Sequence, residues 1–169
     1  MGGIFISYRD DDSDIAAALI DRELTARFGS DLVFLDCRSI PVGVDFIDEL
    51  LGRLRACSVL LVVMGPRWLN LVNAVGERRI DSPADWVRRE IAEALAHGLR
   101  VIPVLLDGAT LPAAEELPHD IAGLSRRQYV PLRRRHIGLD LADLGERIIR
   151  VEPDLARAAG AVYESVDFP

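Results

Sequence analysis

Three consecutive acids, Asp10, Asp11 and Asp12, are the first residues along the chain that could do chemistry. They follow the apolar run GIFIS, which ends at Ser7 and is typical of a buried strand. Carboxylates just past a buried strand can bind Mg²⁺, begin a helix, or simply face water. The rest of the sequence has to decide among these three possibilities.

The magnesium possibility corresponds to a phosphorelay receiver, which also needs an Asp after the third strand and a Lys near the phosphoryl group. Here the third apolar run leads into MGPRW, and the chain contains no Lys. We therefore predict that the acids start the first helix. Asp12, Ser13 or Asp14 is expected to accept hydrogen bonds from the first N–H groups of that helix.

A second candidate for chemistry is the pair Trp86 and Glu90, four residues apart in DWVRREIAEAL (85–95). Residues at this spacing lie on one stripe of a helix. The neighbouring apolar face places Glu90 at the edge of the core, where a carboxylate can be partly desolvated and still reach a cleft. The alternative is a solvated acid that faces Arg88 and Arg89.

Other motifs that carry chemistry are missing from the sequence. A P-loop requires Lys, which the chain lacks. No Rossmann GxGxxG motif follows a strand, and no GxSxG nucleophile elbow occurs. His97, His119 and His136 are scattered, and Cys37 and Cys57 are too few for a disulfide framework or a metal site. We predict no metal site, and we expect both cysteines to be small, buried or half-buried residues in a reducing cytosol.

Short apolar runs alternate with longer amphipathic ones along the whole chain. Strands are predicted at 3–7, 32–36, 58–64, 100–107 and 128–132, and helices at 13–29, 44–57, 82–98 and 139–150. This alternation predicts a parallel sheet with helices on both faces. Pro103 cannot donate to a strand ladder, so the fourth strand is expected to lie toward an edge or to contain a bulge.

The predicted helix at 82–98 has the clearest start and stop signals. Ser82 is expected at the N-cap and Pro83 at the first helical position, with Asp85 three residues after the cap. Gly98 is expected to end it. In open parallel sheets, ligands bind beyond the carboxyl ends of the strands, so the segments 7–12, 36–43 and 65–84 should form the functional rim.

The composition is that of an ordinary globular protein. The chain has 169 residues, 50% of them hydrophobic and 28% charged, with a formal net charge of −7. An acidic chain disfavours non-specific binding to nucleic acid or to an anionic membrane. No apolar run approaches the roughly 20 residues of a membrane span, and the N-terminus has no signal-peptide pattern. We expect a cytoplasmic protein that binds neither nucleic acid nor membrane.

Four ordered stretches together resemble the Toll/interleukin receptor (TIR) domain family, especially its bacterial branch. They are FISYR (5–9), VFLDCRSIPVGVDF (33–46), SVLLVVMGPRWL (58–69) and DWVRREIAEAL (85–95), followed by RVIPVLLDGATLP. The resemblance implies a flavodoxin-like three-layer α/β fold with a five-stranded parallel sheet in the order 2-1-3-4-5. It assigns residues 1–150 to the TIR domain and leaves 151–169 as a C-terminal helix extension or linker.

The resemblance implies two kinds of function. Many family members cleave NAD⁺ between nicotinamide and ribose, and others are adaptors that assemble through TIR–TIR contacts. In the enzymes a Glu four residues after a Trp is catalytic, which corresponds here to Glu90. The implied substrate-binding residues lie after the first strand, in the loop after the second strand, and on the third helix: Tyr8, Arg9, Asp10, Asp36, Arg38, Pro41, Gly43 and Trp86.

Tyr8 and Trp68 are aromatic residues at strand ends that could border the pocket, although core packing is an equal alternative. The resemblance makes NAD⁺ a substrate, so we expect no cofactor. It implies nicotinamide and ADP-ribose or a cyclic ADP-ribose as products, and activation by self-association in signalling or antiphage defence. A non-catalytic interaction module remains the alternative.

Overall fold

The computed structural model describes residues 2–35, 42–43 and 45–164, with side chains described as far as residue 160. Its strands are β1 (Ile4–Ser7), β2 (Val33–Leu35), β3 (Val59–Met64), β4 (Arg100–Leu106) and β5 (Val130–Leu132). Its α-helices are α1 (Asp10–Phe28), α2 (Phe46–Ala56), α3 (Trp86–Ala96), α4 (Ile137–Val151) and α5 (Pro153–Glu164). Short 3₁₀ helices span Arg79–Asp81, Ala114–Glu116, His119–Arg126 and Arg134–His136.

The five strands form one sheet in the order β2-β1-β3-β4-β5, and all the pairings are parallel. This confirms the predicted flavodoxin-like α/β fold and its strand order. β3 lies at the centre of the sheet, and all six of its residues are buried. A central strand covered on both faces has to be apolar throughout, which explains the run VLLVVM.

Each face of the sheet has its own apolar core, and strict alternation along β1 separates them. Ile4 and Ile6 pack into the core beneath α1, α4 and α5, whereas Phe5 packs into the core beneath α2 and α3. Successive side chains of a strand point to opposite faces. Ser7, the last residue of β1, therefore follows Phe5 onto the α2/α3 side.

The start of α1 differs from the prediction. Asp10, Asp11 and Asp12 do form its first turn, but the N-cap residue is Arg9, with no side-chain cap bond. The helix is kinked at Ser13 (φ −147°, ψ 24°), where the sequence predicted its start. The expected capping role for this segment is wrong for Asp12, because its carboxylate accepts from backbone N–H groups of the loop after β3.

The start of α3 also lies later than predicted. The helix begins at Trp86, and its N-cap is Asp85, whose carboxylate accepts from the Arg88 N–H at 3.0 Å. Ser82 instead accepts from the Ala84 N–H in the preceding turn. The predicted cap at Ser82 and the first helical position at Pro83 are therefore wrong, and the N-cap is the next acidic residue along the chain.

The sequence predicted that the strand with Pro103 lies toward an edge or contains a bulge, and the structure shows the first alternative. The register between β3 and β4 runs unbroken from Val59↔Arg100 to Met64↔Leu105. β4 is the second strand from the edge. Its pairing with the edge strand β5 begins at Val104, immediately after the proline. Pro103 thus lies where β4 has a neighbour on one side only.

Two further features complete the fold. Cys57 ends α2 with a buried thiol, and burial raises its pKa to about 12, so it remains protonated at neutral pH. Cys37 lies outside the described residues.

At the C-terminal end α5 packs against α1 and α4, with Leu155 buried in their core. None of the described helices combines the length and the apolar character that crossing a bilayer requires.

Candidate functional site

A buried ion pair joins the end of β1 to the start of α3. The guanidinium of Arg9 donates two hydrogen bonds of 2.9 Å to the carboxylate of Asp85, and their side chains are only 3% and 10% exposed. Two parallel bonds between a guanidinium and a carboxylate fix the relative orientation as well as the distance. The N-terminus of α3 is thereby held at the carboxyl edge of the sheet, where ligands bind in folds of this kind.

Glu90 lies one turn further along α3 and is 1% exposed. It shares a stripe with Val87, Ile91 and Ala94, which are all buried against the sheet. A carboxylate therefore occupies a position in the helix where the spacing calls for an apolar residue. The alternative of a solvated acid is wrong, and burial of an ionisable group at a strand-end rim is typical of functional sites.

The two arginines that immediately precede Glu90 in sequence make contacts of their own. Arg88 donates to the carboxylate of Asp120 and to the carbonyl oxygen of Asp81. The guanidinium carbon of Arg89 lies 4.9 Å from the ring centroid of Trp86. Both arginines thus have partners other than Glu90.

Trp86 is half-buried at the first position of α3. Its ring meets the ring of Phe46, the first residue of α2, edge to face at a centroid distance of 5.0 Å and an angle of 84°. Phe46 follows the loop that the sequence assigned to the rim. Trp86 therefore connects the start of α3 to the start of α2, and Arg89 covers one face of its indole.

The residues at the end of β1 point in different directions. Arg9 is 4% exposed, and its guanidinium carbon lies 5.5 Å from the ring centroid of Trp68, which is itself buried. Tyr8 packs into the core beneath α1, across the sheet from α3. Asp10 is exposed at the first position of α1. The structure thus brings Arg9, but not Tyr8, to the start of α3. Trp68 packs in the core, which was one of the two alternatives for this residue.

Comparison with known proteins identifies the family. The family model described as "TIR domain" matches residues 4–149. The chain belongs to the TIR domain family. It is 28% identical over 159 residues to "NAD(+) hydrolase sarm1" of Drosophila melanogaster, a match that covers 94% of this chain and 11% of that protein. It is 30% identical over 125 residues to "NAD(+) hydrolase tir-1" of Caenorhabditis elegans, covering 73% of this chain and 12% of that protein.

The chain spans about a tenth of the length of these two relatives. A solved structure of TIR domains, from the activated Roq1 resistosome directly recognizing the pathogen effector XopQ, is similar at a TM-score of 0.49 and 15% identity. That match covers 95% of this chain and 84% of the other. The narrower resemblance to the bacterial branch stays a prediction.

The loop after β2 of this TIR domain carries four of the predicted site residues. Asp36, Arg38 and Pro41 lie outside the described residues. Gly43 is exposed with φ +89°, a backbone conformation that favours glycine. Asp45 then caps α2, because its Oδ1 accepts from the N–H groups of Ile47 at 3.0 Å and Asp48 at 3.2 Å.

Ser7 is a rim residue that the sequence reasoning did not single out. It is fully buried at the carboxyl end of β1, on the α3 side of the sheet, and its Oγ has no hydrogen-bond partner among the described residues. The signal was present in the sequence, because a polar side chain occupied an inward position of an otherwise apolar strand.

Nothing in the described part of the TIR domain groups three or more metal-binding side chains together.

Proposed function

We propose that this TIR domain hydrolyses NAD⁺ at the bond between nicotinamide and ribose, with Glu90 as the catalytic carboxylate. The observation that carries the proposal is a fully buried acid in the core stripe of α3, next to the carboxyl edge of the sheet. The two curated relatives are named NAD⁺ hydrolases, which supports the same substrate.

The chemistry explains why one carboxylate is enough. When the bond between C1′ of ribose and the ring nitrogen breaks, the bonding electrons neutralise the pyridinium, and nicotinamide leaves uncharged without needing a proton. Ordinary glycosidases need a second carboxyl group because their leaving group is poor. Water then bonds to C1′ and loses a proton, which yields ADP-ribose, or a nitrogen of the adenine closes a cyclic product.

Glu90 would act on the positive charge that develops on the ribose. A preorganised carboxylate in a site that excludes water stabilises such charge by about 3–4 kcal/mol, or two to three decades of rate. The burial of Glu90 supports this role, since Coulomb attraction strengthens as the surrounding dielectric falls. Trp86 would offer its uncovered π-face to a base, because Arg89 already covers the other face.

The other residues assigned to the site have different proposed roles. Arg9 would act chiefly by holding α3 in place, since its guanidinium already binds Asp85. The contacts from Tyr8, Asp10, Asp36, Arg38, Pro41 and Gly43 to the nucleotide stay predictions. NAD⁺ is a substrate in this scheme, and no cofactor takes part.

The test compares two isosteric substitutions on one helix. Glu90→Gln removes the charge of the buried carboxylate, and Glu93→Gln does the same to a mostly buried acid whose carboxylate pairs with Arg55. Concentrated protein is incubated with NAD⁺, and nicotinamide release is followed by chromatography. We expect Glu90→Gln to lower kcat about 10²- to 10³-fold and Glu93→Gln to leave it within a factor of about two.

Equal activity in the parent and Glu90→Gln would overturn the assignment of Glu90. The second candidate function is a non-catalytic module that assembles with other TIR domains. It is favoured if the parent releases no nicotinamide even when copies are held together on a fused oligomeric scaffold. The same fusion tests self-association: specific activity should rise with concentration in the unfused protein and become independent of concentration in the fused one.

A further inference from the structure

A basic cavity lies at the amino edge of the sheet, opposite the edge that carries Glu90. It has a volume of about 560 Å³ and is formed where β3, β4 and β5 begin and where α4 ends. The seven residues of β4 separate the two edges by about 20 Å. Nothing in the proposed hydrolysis of NAD⁺ uses this part of the molecule.

Arginine dominates the lining of the cavity. Five guanidinium groups face a single carboxylate, that of Glu152, in a chain whose net charge is −7. These five are Arg100, Arg126, Arg127, Arg147 and Arg150. They come from three separate segments, namely the start of β4, the end of the 3₁₀ helix before β5, and the last turns of α4. Their convergence is therefore a product of the fold and not of one basic run.

Most of this charge is not neutralised by the protein. Arg126, Arg127 and Arg150 make no side-chain hydrogen bond or ion pair within the part of the chain that the structure describes. Arg100 reaches Glu152 at 3.2 Å and Arg147 reaches Asp143 at 2.8 Å, both through Nε. By contrast, Arg9 donates through both Nη atoms to the carboxylate of Asp85. Arg88 donates through Nε to the carboxylate of Asp120 and through Nη1 to the carbonyl oxygen of Asp81.

Favourable placement at a helix end accounts for only part of the cluster. Arg150 lies in the last turn of α4, where a cation is stabilised by the helix dipole. Arg126 and Arg127 belong to another segment and gain nothing from α4. Like charges gathered around one hollow repel each other, and an anion bound between them removes that repulsion.

The floor of the cavity indicates an organic ligand and not an inorganic ion alone. Apolar side chains line it at the start of each strand, including Val101 of β4 and Val130 of β5, and both are buried. Gln128 adds an amide that can both donate and accept. Ligand pockets typically combine a volume of 300–1,000 Å³ and apolar walls with a few polar groups.

We infer that this cavity binds a nucleotide that carries at least two phosphate groups. The arginines would grip the phosphates through charge-assisted bonds, with the base or sugar against the apolar floor and Gln128. The ligand is held at this edge without being cleaved, so the inference stands independently of the proposed hydrolysis.

The test measures ATP binding by isothermal titration calorimetry, without added metal, at low and physiological salt. The cavity variant is Arg127→Ala/Arg150→Ala. The matched control is Arg22→Ala/Arg135→Ala, which removes the same charge from two exposed positions away from the cavity. We expect the cavity variant to weaken ATP binding about tenfold or more, and the control to change it less than about twofold.

Two further measurements define the ligand class. Tripolyphosphate should bind more weakly than ATP, and Gln128→Ala should weaken ATP binding while leaving tripolyphosphate binding unchanged. Circular dichroism and Tm establish that all the variants are folded. The inference is overturned if ATP binds the cavity variant and the control equally, or if it fails to bind the parent.

The inference is equally overturned if binding of a single-stranded oligonucleotide or of an anionic phosphatidylserine vesicle depends on these arginines and binding of ATP does not. Failure here is distinguishable from failure of the hydrolysis proposal. Glu90→Gln should leave the effect of the cavity substitutions on ATP binding unchanged, and the cavity variant should retain Glu90-dependent release of nicotinamide.

Discussion

Asp85 serves two structural roles at once through a single carboxylate: it caps α3, and it neutralises the buried guanidinium of Arg9. Oδ2 accepts from the Arg88 N–H at 3.0 Å and from Nη2 of Arg9 at 2.9 Å, while Oδ1 accepts from Nη1 of Arg9 at 2.9 Å. The helix that carries Glu90 is thus anchored to the end of β1. Asp85 therefore helps to position the proposed catalytic group, together with the apolar stripe of α3.

Asp85→Ala should lower the free energy of unfolding by about 3–5 kcal/mol, because it removes the cap and leaves the charge of Arg9 buried without its partner. Chemical denaturation at pH 7 measures the change. Asp120→Ala is the matched control, since Asp120 also pairs with an arginine but is 46% exposed. That substitution should cost less than about 1 kcal/mol.

The double substitution Arg9→Met/Asp85→Asn should be more stable than Asp85→Ala, because it retains the cap and removes the charge that would otherwise be stranded. If the double variant is as unstable as Asp85→Ala, the instability does not come from an uncompensated buried charge. The account of Arg9 as an anchor would then be wrong.

The start of α3 illustrates how far sequence reasoning reaches. The pattern of apolar residues predicted the helix, and the pair Trp86 and Glu90 was assigned correctly to one helix. Both Ser82 and Asp85 are good N-cap residues by local rules. The choice between them rests on Arg9, which is 76 residues away in sequence. Local patterns cannot contain that information, so the element was predictable and its boundary was not.

The acid Asp12 and the glycine at the end of β3 form a second tight contact. The Asp12 carboxylate accepts from the Gly65 N–H at 2.7 Å and from the Arg67 N–H at 3.1 Å. A Cβ built on Gly65 would lie 2.5 Å from the carboxylate of Asp12. Gly65→Ala should therefore cost about 1–3 kcal/mol in a denaturation experiment.

A double-mutant cycle separates the clash from any general effect of alanine. In an Asp12→Ala background, Gly65→Ala should cost measurably less, because the group it would strike is gone. Gly52→Ala in α2 is the control, since its added methyl meets nothing within 4 Å. It should be neutral or stabilising by up to about 1 kcal/mol. Additive costs at positions 12 and 65 would contradict the proposed contact.

Ser7 should separate stability from activity. Its hydroxyl is buried without a partner among the described residues, so Ser7→Ala removes an unsatisfied group and should leave Tm unchanged or raise it. Because Ser7 lies on the α3 side of the rim, the same substitution should lower kcat/KM for NAD⁺. Differential scanning calorimetry and nicotinamide release measure the two effects.

Ser125→Ala is the comparison for stability, because the Ser125 hydroxyl donates to the Ala122 carbonyl at 2.8 Å. Loss of that bond should lower stability by about 1 kcal/mol, the opposite direction from Ser7→Ala. A large loss of stability in Ser7→Ala would mean that its hydroxyl has a structural partner. Unchanged kcat/KM would exclude Ser7 from the substrate site.

The site was harder to foresee than the fold for a physical reason. Alternation and helix periodicity specify which face a residue occupies, and this is why the burial of the core follows the pattern so closely. The strand order came instead from the resemblance to the TIR family. The structure places Tyr8 and Arg9 on opposite faces of the sheet, as alternation at a strand end requires, and the contact of Tyr8 with the nucleotide stays a prediction. Ser7 was not singled out, although the same alternation places it on the α3 side of the sheet.

The pH dependence of stability offers a test at the start of α4. Asp140 accepts three hydrogen bonds from Arg133, namely from Nη2 at 2.8 Å, Nε at 3.0 Å and the backbone N–H at 2.7 Å. The bonds from the Arg133 side chain hold the pKa of Asp140 below its ordinary value. A carboxyl group whose pKa is lower in the folded state stabilises the fold above its unfolded pKa, and it loses that contribution as pH falls through the folded value.

Asp140→Asn should therefore lower Tm at pH 7, and the difference from the parent should shrink as the pH falls below about 4. Arg133→Met should show the same convergence, because it removes the other partner of the pair. Calorimetric scans at pH 7, 5, 4 and 3 measure both series. A difference in Tm that stayed constant from pH 7 to pH 3 would show that the substitutions act through packing and not through the ionised carboxylate.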